Sequence, residues 1–511
     1  MTKPQMILGM HLGNGYGSQT SAWRAPNVDP ANYTSFDAQV RYAQAAERGK
    51  VAFLFLPDSP GLQADVDHEA PQITLEPMMT LAAIARATER IGLVATGSTT
   101  FNEPFNIARQ FKALDVMSRG RAGWNAVTTS DPNSAANFGQ GIAPRPQRYQ
   151  RAHETIQIAQ ALWGSWQQDA WIKDQKTGRF AHPDKVQPIN MQGEYVASRG
   201  PLPIPPSEQG QPVIFSAGGG ANGLDLAGWY ANGVIGSTFT IDDARKQRQA
   251  YRDAARRAGR NPDEIKFFAG VMPAIGKTKR DALDRRVQLG ELTAASRVPY
   301  LGSMLNLQLD AGQLDEPLTP VQLAAASPSP FDPRSPRALQ VAREGWTIRD
   351  ILAHGVIDYH PTPVGDASVT ADHMQEWFEA GACDGFWVSV DVNEDGIDTF
   401  VDEVVPLLQD RGVYHHDYDG TTLRDHLGAP AQYGLDPRLT DPIPGQPPAQ
   451  TTQPPVTPPT PLIRAVFGIR SASTRQGSPS SPATMPKVRS VSPANRSTAS
   501  PSTHPWCPSA S

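Results

Sequence analysis

Cysteine is scarce in this chain. Cys383 and Cys507 are the only two in 511 residues, too few for a disulfide framework, and a reducing compartment fits such usage. Charge of one sign is scarce as well. Lys and Arg number 46 against 51 Asp and Glu, a formal net charge of −5, which leaves no basic groove for nucleic acid. Long apolar runs are missing. After Met1-Thr2-Lys3-Pro4-Gln5 only a handful of apolar residues precede His11, short of a secretory h-region or a membrane span, so a cytoplasmic protein with no membrane partner is expected. With 39% hydrophobic and 19% charged residues, the chain reads as globular, long enough for one large α/β barrel with insertions or for several ordinary domains.

What is present is a recurring alternation of short apolar runs and amphipathic stretches. The runs fall near 6–11, 51–56, 91–98, 121–128, 211–217, 233–238, 266–273 and 384–390. Unbroken runs such as Val51-Ala52-Phe53-Leu54-Phe55-Leu56 read as strands covered on both faces. Helical periodicity marks 36–50, 76–90, 104–118, 148–164, 241–259 and 366–382. Eight such units predict an α/β fold, a (β/α)8 TIM barrel. A doubly wound open sheet is the alternative, and polar residues just past several strand ends favour the barrel.

Insertions are expected after strands 4 and 7. A Pro/Gly/Asn-rich loop occupies 130–147, a polar excursion 166–210, and a segment with Pro-Ser-Pro repeats 296–345. Segments of this size read as lids or as disorder, and one is expected to cover the pocket. The barrel domain is expected over 1–435. From 441 to 511 the composition turns to Pro, Ser and Thr with Arg464, Arg470, Arg475, Lys487, Arg489 and Arg496 and no acid beyond Asp441, which predicts a disordered tail.

The polar residues at the strand ends each carry two readings. Asp58, after the second strand, is a ligand-orienting carboxylate or a turn cap. Ser98, Thr99 and Thr100 are turn hydroxyls or donors to a ring edge. Asn125 interrupts an apolar strand with an amide that demands partners if buried, from a ring edge or from the protein. His11 ends the first strand and is the catalytic candidate, although a lone His is more often structural. The turn Ser216-Ala217-Gly218-Gly219-Gly220-Ala221-Asn222-Gly223 offers bare amides at a helix start, a generic anion cradle whose spacing does not fit a dinucleotide fingerprint. His415 and His416 lack metal-ligand spacing and read as surface residues, so no metal is expected.

Three signatures run together between Leu75 and Thr129: Leu75-Glu76-Pro77, Glu103-Pro104-Phe105, and Leu114-Asp115-Val116-Met117-Ser118-Arg119-Gly120-Arg121 leading to Trp124-Asn125-Ala126-Val127-Thr128-Thr129. With Arg148-Tyr149 and Leu423-Arg424-Asp425-His426-Leu427-Gly428, this resembles the bacterial-luciferase-like flavin monooxygenases. The resembling branch is that of nitrilotriacetate monooxygenase component A, dibenzothiophene sulfone monooxygenase, EDTA monooxygenase and the large subunit of pristinamycin IIA synthase. The resemblance spans about residues 5–430.

It implies reduced FMN as co-substrate from a separate flavin reductase, with molecular oxygen used to oxygenate a small organic substrate such as an aminopolycarboxylate or a sulfone. It also implies a homo-oligomer. The FMN contacts it implies are Asp58, at least one of Ser98, Thr99 and Thr100, then Asn125, Arg145, Tyr149, Gly219 and Gly220. Two departures stand out. Arg145 occupies a position where relatives commonly have His; it grips a phosphate well but shuttles no proton at neutral pH. Ser216, Gly219 and Gly220 replace a Gln and two serines. Two alternatives remain: hydride transfer from the deazaflavin F420 on the same barrel, and a flavin-binding barrel with lost activity.

Overall fold

The computed structural model describes residues 4–13, 15–62, 66–71 and 75–440. Eight parallel strands close into a barrel in chain order: β1 (Ile7–His11), β2 (Phe53–Leu56), β3 (Gly92–Ser98), β4 (Ala122–Val127), β5 (Val213–Ser216), β6 (Gly233–Gly236), β7 (Lys266–Val271) and β8 (Gly385–Val388). Each lies within an apolar run singled out above. The barrel, not the open sheet, is the fold. The outer ring includes α1 (Phe36–Arg48), α2 (Pro77–Ala87), α3 (Pro104–Met117), α4 (Arg145–Trp163), α5 (Gly220–Tyr230), α6 (Ile241–Arg257) and α7 (Lys279–Gly290). The starts are locally encoded. Ser35 accepts from the Ala38 amide at 3.3 Å, Thr240 from the Asp243 amide at 3.1 Å, and Pro77 and Pro104 open their helices.

Alternation along each strand divides the side chains between two layers. Leu8, Leu54, Leu93, Trp124, Ile214, Val234 and Phe386 face the helices. Phe53, Val94, Val213, Phe215 and Phe268 fill the interior. The ring centroids of Phe53 lie 4.9 Å from Phe215 and 5.0 Å from Phe268. Glycines make room for them. A Cβ on Gly9 would lie 2.2 Å from the Phe53 ring, and one on Gly233 2.3 Å from Phe215. The block Leu423–Gly428 closes the barrel at the strand N-termini. Leu423 is fully buried, and a Cβ on Gly92 would meet it at 2.5 Å.

Beside the plug, buried charges are paired to backbone. Asp115 accepts from Gln209 Nε2 at 2.6 Å and the Ala122 amide at 3.2 Å, Lys112 donates to the Gly210 carbonyl, and Arg424 Nε donates to Gln211 O at 3.0 Å. Burial pulls Lys112 down to about 8 and Arg424 to about 10.

The insertions fall after β4 and β7, as expected, but the second is not a loop. α8 (Ala294–Leu305), a short helix Pro320–Ala325, α9 (Ser335–Arg343) and α10 (Ile348–Ala353) build a helical unit. It has its own core of Val298, Leu301, Leu305, Leu339, Val341, Ile348 and Ile351. Pro320 and Pro336 sit at helix starts, where a missing N–H costs nothing, while Pro328, Pro330 and Pro333 lie in the link between two of the helices. Between β4 and β5, Pro132–Asn137 is helical, α4 begins inside the expected loop, and two short hairpins pair Trp171–Asp174 with Arg179–Ala181 and Met191–Gln192 with Ala197–Ser198. Among the described residues no helix is long and apolar enough to cross a membrane. The expected tail, 441–511, lies outside the described residues.

Leu423→Ala is expected to cost about 2–5 kcal/mol by leaving a cavity among Gly92, Gly123 and Phe53. This would be read as a lower denaturant midpoint; an unchanged midpoint would show that the plug does not secure the barrel.

Candidate active site

The polar residues that matter lie at the strand C-termini, beyond the phenylalanine layer. On adjacent strands Thr96 and Asn125 sit opposite each other. Asn125 Nδ2 donates to Thr96 Oγ1 at 2.9 Å, while Asn125 Oδ1 is buried with no partner. The amide is half satisfied, a state that a closed apolar strand does not leave without cost.

The three hydroxyls beyond β3 divide. Ser98 Oγ lies 2.8 Å from Thr129 Oγ1 and accepts the Thr100 amide at 3.1 Å. Thr99 Oγ1 donates to Val127 O at 3.0 Å. Both hold the rim in shape. Thr100 Oγ1 alone is buried and unpartnered. Arg151 from α4 locks this corner by donating to the Thr99 carbonyl at 3.1 Å and Asn102 O at 3.3 Å. Asp58 is half-buried beyond β2, and desolvation, then Glu76, raises it to about 6. Glu76 itself caps α2 through the Met79 amide at 2.6 Å.

The Gly-rich turn after β5 is open. Gly219 is the N-cap of α5 with no side chain to cap it, and a Cβ there would meet nothing within 4 Å. Gly220 has φ +76°, a conformation that side chains resist. A Cβ on Gly220 would stand 3.0 Å from Arg145 Nη2, and one on Gly218 3.7 Å from the Tyr149 hydroxyl. The Arg145 guanidinium lies 5.7 Å from the Tyr149 ring centre. Arg148, one position before Tyr149, keeps a buried Nε without a partner. Tyr251 braces the turn by donating to Gly218 O at 2.7 Å. Free amides, the positive end of an 11-residue helix and Arg145 thus converge on one spot, which suits a phosphate.

On the opposite side of the rim two neutral histidines flank an indole. His11 Nδ1 lies 2.9 Å from Ser389 Oγ, and its ring stands edge-on to Trp387 at 5.0 Å. Desolvation lowers His11 to about 4, so it is neutral at neutral pH. His360 packs at 5.3 Å and 87° on the same indole. Both of its ring nitrogens and Trp387 Nε1 are buried without partners, and burial, then His11, lowers it to about 3. Gly270 makes this possible: a Cβ there would lie 2.2 Å from the His360 ring.

Sequence reasoning placed His11, Asp58, Ser98, Thr99, Thr100 and Asn125 at or just beyond strand ends on one rim. Arg145 and Tyr149 on one segment and Gly219 and Gly220 on another were separate candidates, and the structure brings them together in a second cluster. Sequence reasoning missed His360, Trp387, Ser389 and Arg151. The available signals were a glycine inside β7 and an indole at an inward position of β8.

The chain matches the family Luciferase-like monooxygenase over residues 12–382. It is 38% identical over 435 residues to N-acetyl-S-(2-succino)cysteine monooxygenase of Bacillus subtilis (strain 168), covering 83% of this chain and 97% of that one. Nitrilotriacetate monooxygenase component A of Aminobacter aminovorans is 34% identical over 438 residues, covering 83% and 94%. Among solved structures, EDTA monooxygenase from Chelativorans sp. BNC1 superposes with a TM-score of 0.71 at 30% identity, covering 84% of this chain and 99% of that one. With this extent of match and a closed barrel carrying its polar groups at one rim, the chain belongs to the luciferase-like monooxygenases.

Proposed function

We propose that this protein is the oxygenase of a two-component system that takes reduced FMN from a separate flavin reductase and oxygenates a small organic substrate with molecular oxygen. One pairing of features carries the reading. An uncapped helix end with Arg145 beside it stands next to strands whose Asn125 Oδ1 and Thr100 Oγ1 are buried and unsatisfied. A phosphate at one place and a hydrogen-bonding ring edge at the other fit these needs together.

In this reading the amides of Gly219 and Gly220, Arg145 and the Tyr149 hydroxyl hold the phosphate. Asn125 Oδ1 accepts from a ring N–H, and Thr100 Oγ1 bonds the ring's polar edge. Ser98 and Thr99 act by holding Thr100 and the β3–β4 rim in place. Reduced FMN supplies the two electrons with which dioxygen is divided, one atom entering the substrate and the other leaving as water. The chain's part is to position the substrate and exclude water. His11, held by Ser389 and uncharged, offers its other ring nitrogen as an acceptor or donor on the substrate side. The segment 15–35 packs beside the chain that follows β8, with Tyr16 and Val392 in one cluster with Leu289 of α7.

Binding measured by fluorescence titration under anaerobic conditions tests the cofactor. Reduced FMN is expected to bind at least tenfold more tightly than oxidised FMN or reduced F420. Preference for F420 would move the protein to hydride transfer, and binding of neither would overturn the reading.

Arg145→Ala is expected to weaken FMN about 10- to 100-fold, the worth of a charge-assisted hydrogen bond, and to leave riboflavin binding unchanged. Equal losses for both ligands would remove Arg145 from the phosphate site.

Asp58, raised to about 6, is ionised above that pH and is proposed to accept hydrogen bonds from the bound flavin. Affinity for reduced FMN should therefore strengthen as pH rises through about 6, and the step should vanish in Asp58→Asn. A step that persists in the variant would assign it elsewhere.

A further inference from the structure

Trp387 stands where the barrel leaves a gap on both sides of it. On β8 it lies opposite Gly9 of β1 and Gly270 of β7, so neither flanking strand brings a side chain to its level. The two places are filled from elsewhere. The Phe53 ring lies 2.2 Å from where a Cβ on Gly9 would stand, and the His360 ring 2.2 Å from where one on Gly270 would stand. Set between Phe386 and Val388, which face the helices, the indole points into the barrel and packs on its interior cluster. Phe55 meets it at 5.8 Å and 68°. Trp387 is partly exposed, unlike Phe53 and Phe268, and is open to a ligand at the rim.

His360 is carried there on a segment tied down at both ends. Before it, Arg286 pairs with Asp358, and Arg334 Nη1 donates to Ile357 O at 2.5 Å and Asp358 O at 3.1 Å. After it, the amides of Met272 and Ala274 donate to Pro361 O and Pro363 O, both at 3.0 Å. The ring held by this scaffold is itself unanswered. His360 is 1% exposed, and its two nitrogens and Trp387 Nε1 are buried with no partner among the described residues. Three unmet polar atoms on adjacent rings are a cost that packing alone does not call for.

What they lack is specific. An indole N–H only donates, and a neutral imidazole donates from one nitrogen and accepts at the other. Burial keeps His360 neutral at neutral pH. Resting on the flavin reading of the rim, we infer that Trp387 Nε1 and the N–H of His360 donate to acceptor oxygen on the substrate, selecting an uncharged organic molecule that carries a sulfonyl or carbonyl group. The oxygen's place is between the two rings, whose centroids stand 5.3 Å apart at 87°. Two donors without charge suit such oxygens, whereas a carboxylate would be desolvated with no charge on either ring to pair it. An amide or sulfonamide N–H beside the oxygen would also meet the accepting nitrogen of His360.

The test uses the full chain saturated with reduced FMN under anaerobic conditions, isotopically labelled at the indole nitrogens, with the Trp387 resonance identified by its loss in Trp387→Phe. Methyl phenyl sulfone and acetophenone are titrated beside their oxygen-free counterparts, methyl phenyl sulfide and ethylbenzene. At least one oxygen-bearing ligand is expected to move the Trp387 Nε1 proton downfield, and neither counterpart to do so. By calorimetry, Trp387→Phe and His360→Phe, which keep a ring in place, should each weaken that ligand about tenfold and leave its counterpart and FMN unchanged. His360→Gln, which keeps a donor and an acceptor, should restore part of the loss. A Trp387 resonance that no oxygen-bearing ligand moves, one that moves with FMN alone, or equal losses for ligand and counterpart in the variants would each overturn the assignment. Failure of the wild-type chain to bind reduced FMN would instead strike the flavin reading, so the two failures are separable.

Discussion

The phenylalanine layer governs what this barrel can do. Phe53, Phe215 and Phe268 fill the interior because Gly9 and Gly233 give up their side chains, and Leu423 closes the space beneath them. A closed barrel has no free strand edge, and its interior is packed by these rings. The end of the barrel left for an active site is that of the strand C-termini. The buried, hydrogen-bonded charges of Lys112, Asp115 and Arg424 lie at the other end, where they fasten the plug to the barrel wall.

Given that frame, the rim separates charge by position. The open start of α5 with Arg145 is cationic and exposes amides. The side formed by β1, β7 and β8 is held neutral by desolvation, with His11 and His360 far below their ordinary values. Between them Asn125 and Thr100 offer polar atoms that the protein itself does not satisfy. An elongated ligand with an anionic head and a hydrogen-bonding ring matches this order, and it leaves the neutral side for a second molecule.

The barrel was legible because its strands are covered on both faces and therefore read as unbroken apolar runs, such as residues 51–56 and 91–98. The rim candidates were legible for a related reason: Asn125 breaks such a run. Which hydroxyl is free was not legible, since Ser98, Thr99 and Thr100 differ only in which neighbour each one meets after folding. The helical insertion was misread because its prolines were weighed as breakers, although Val298, Leu301 and Leu305 already had helical spacing. His360 was out of reach, because it gains its meaning from residues far away in sequence. Gly270 and Trp387 frame it.

The central claim is that one ligand spans the Gly219–Gly220 cradle and the Asn125 edge. The most direct measurement is the electron density of crystals of the full chain soaked with FMN and reduced anaerobically. The account expects phosphate density against the Gly219 and Gly220 amides and Arg145, with a ring edge in hydrogen-bond contact with Asn125 Oδ1. A flavin bound with its phosphate elsewhere, or with Asn125 Oδ1 still unpartnered, would contradict it.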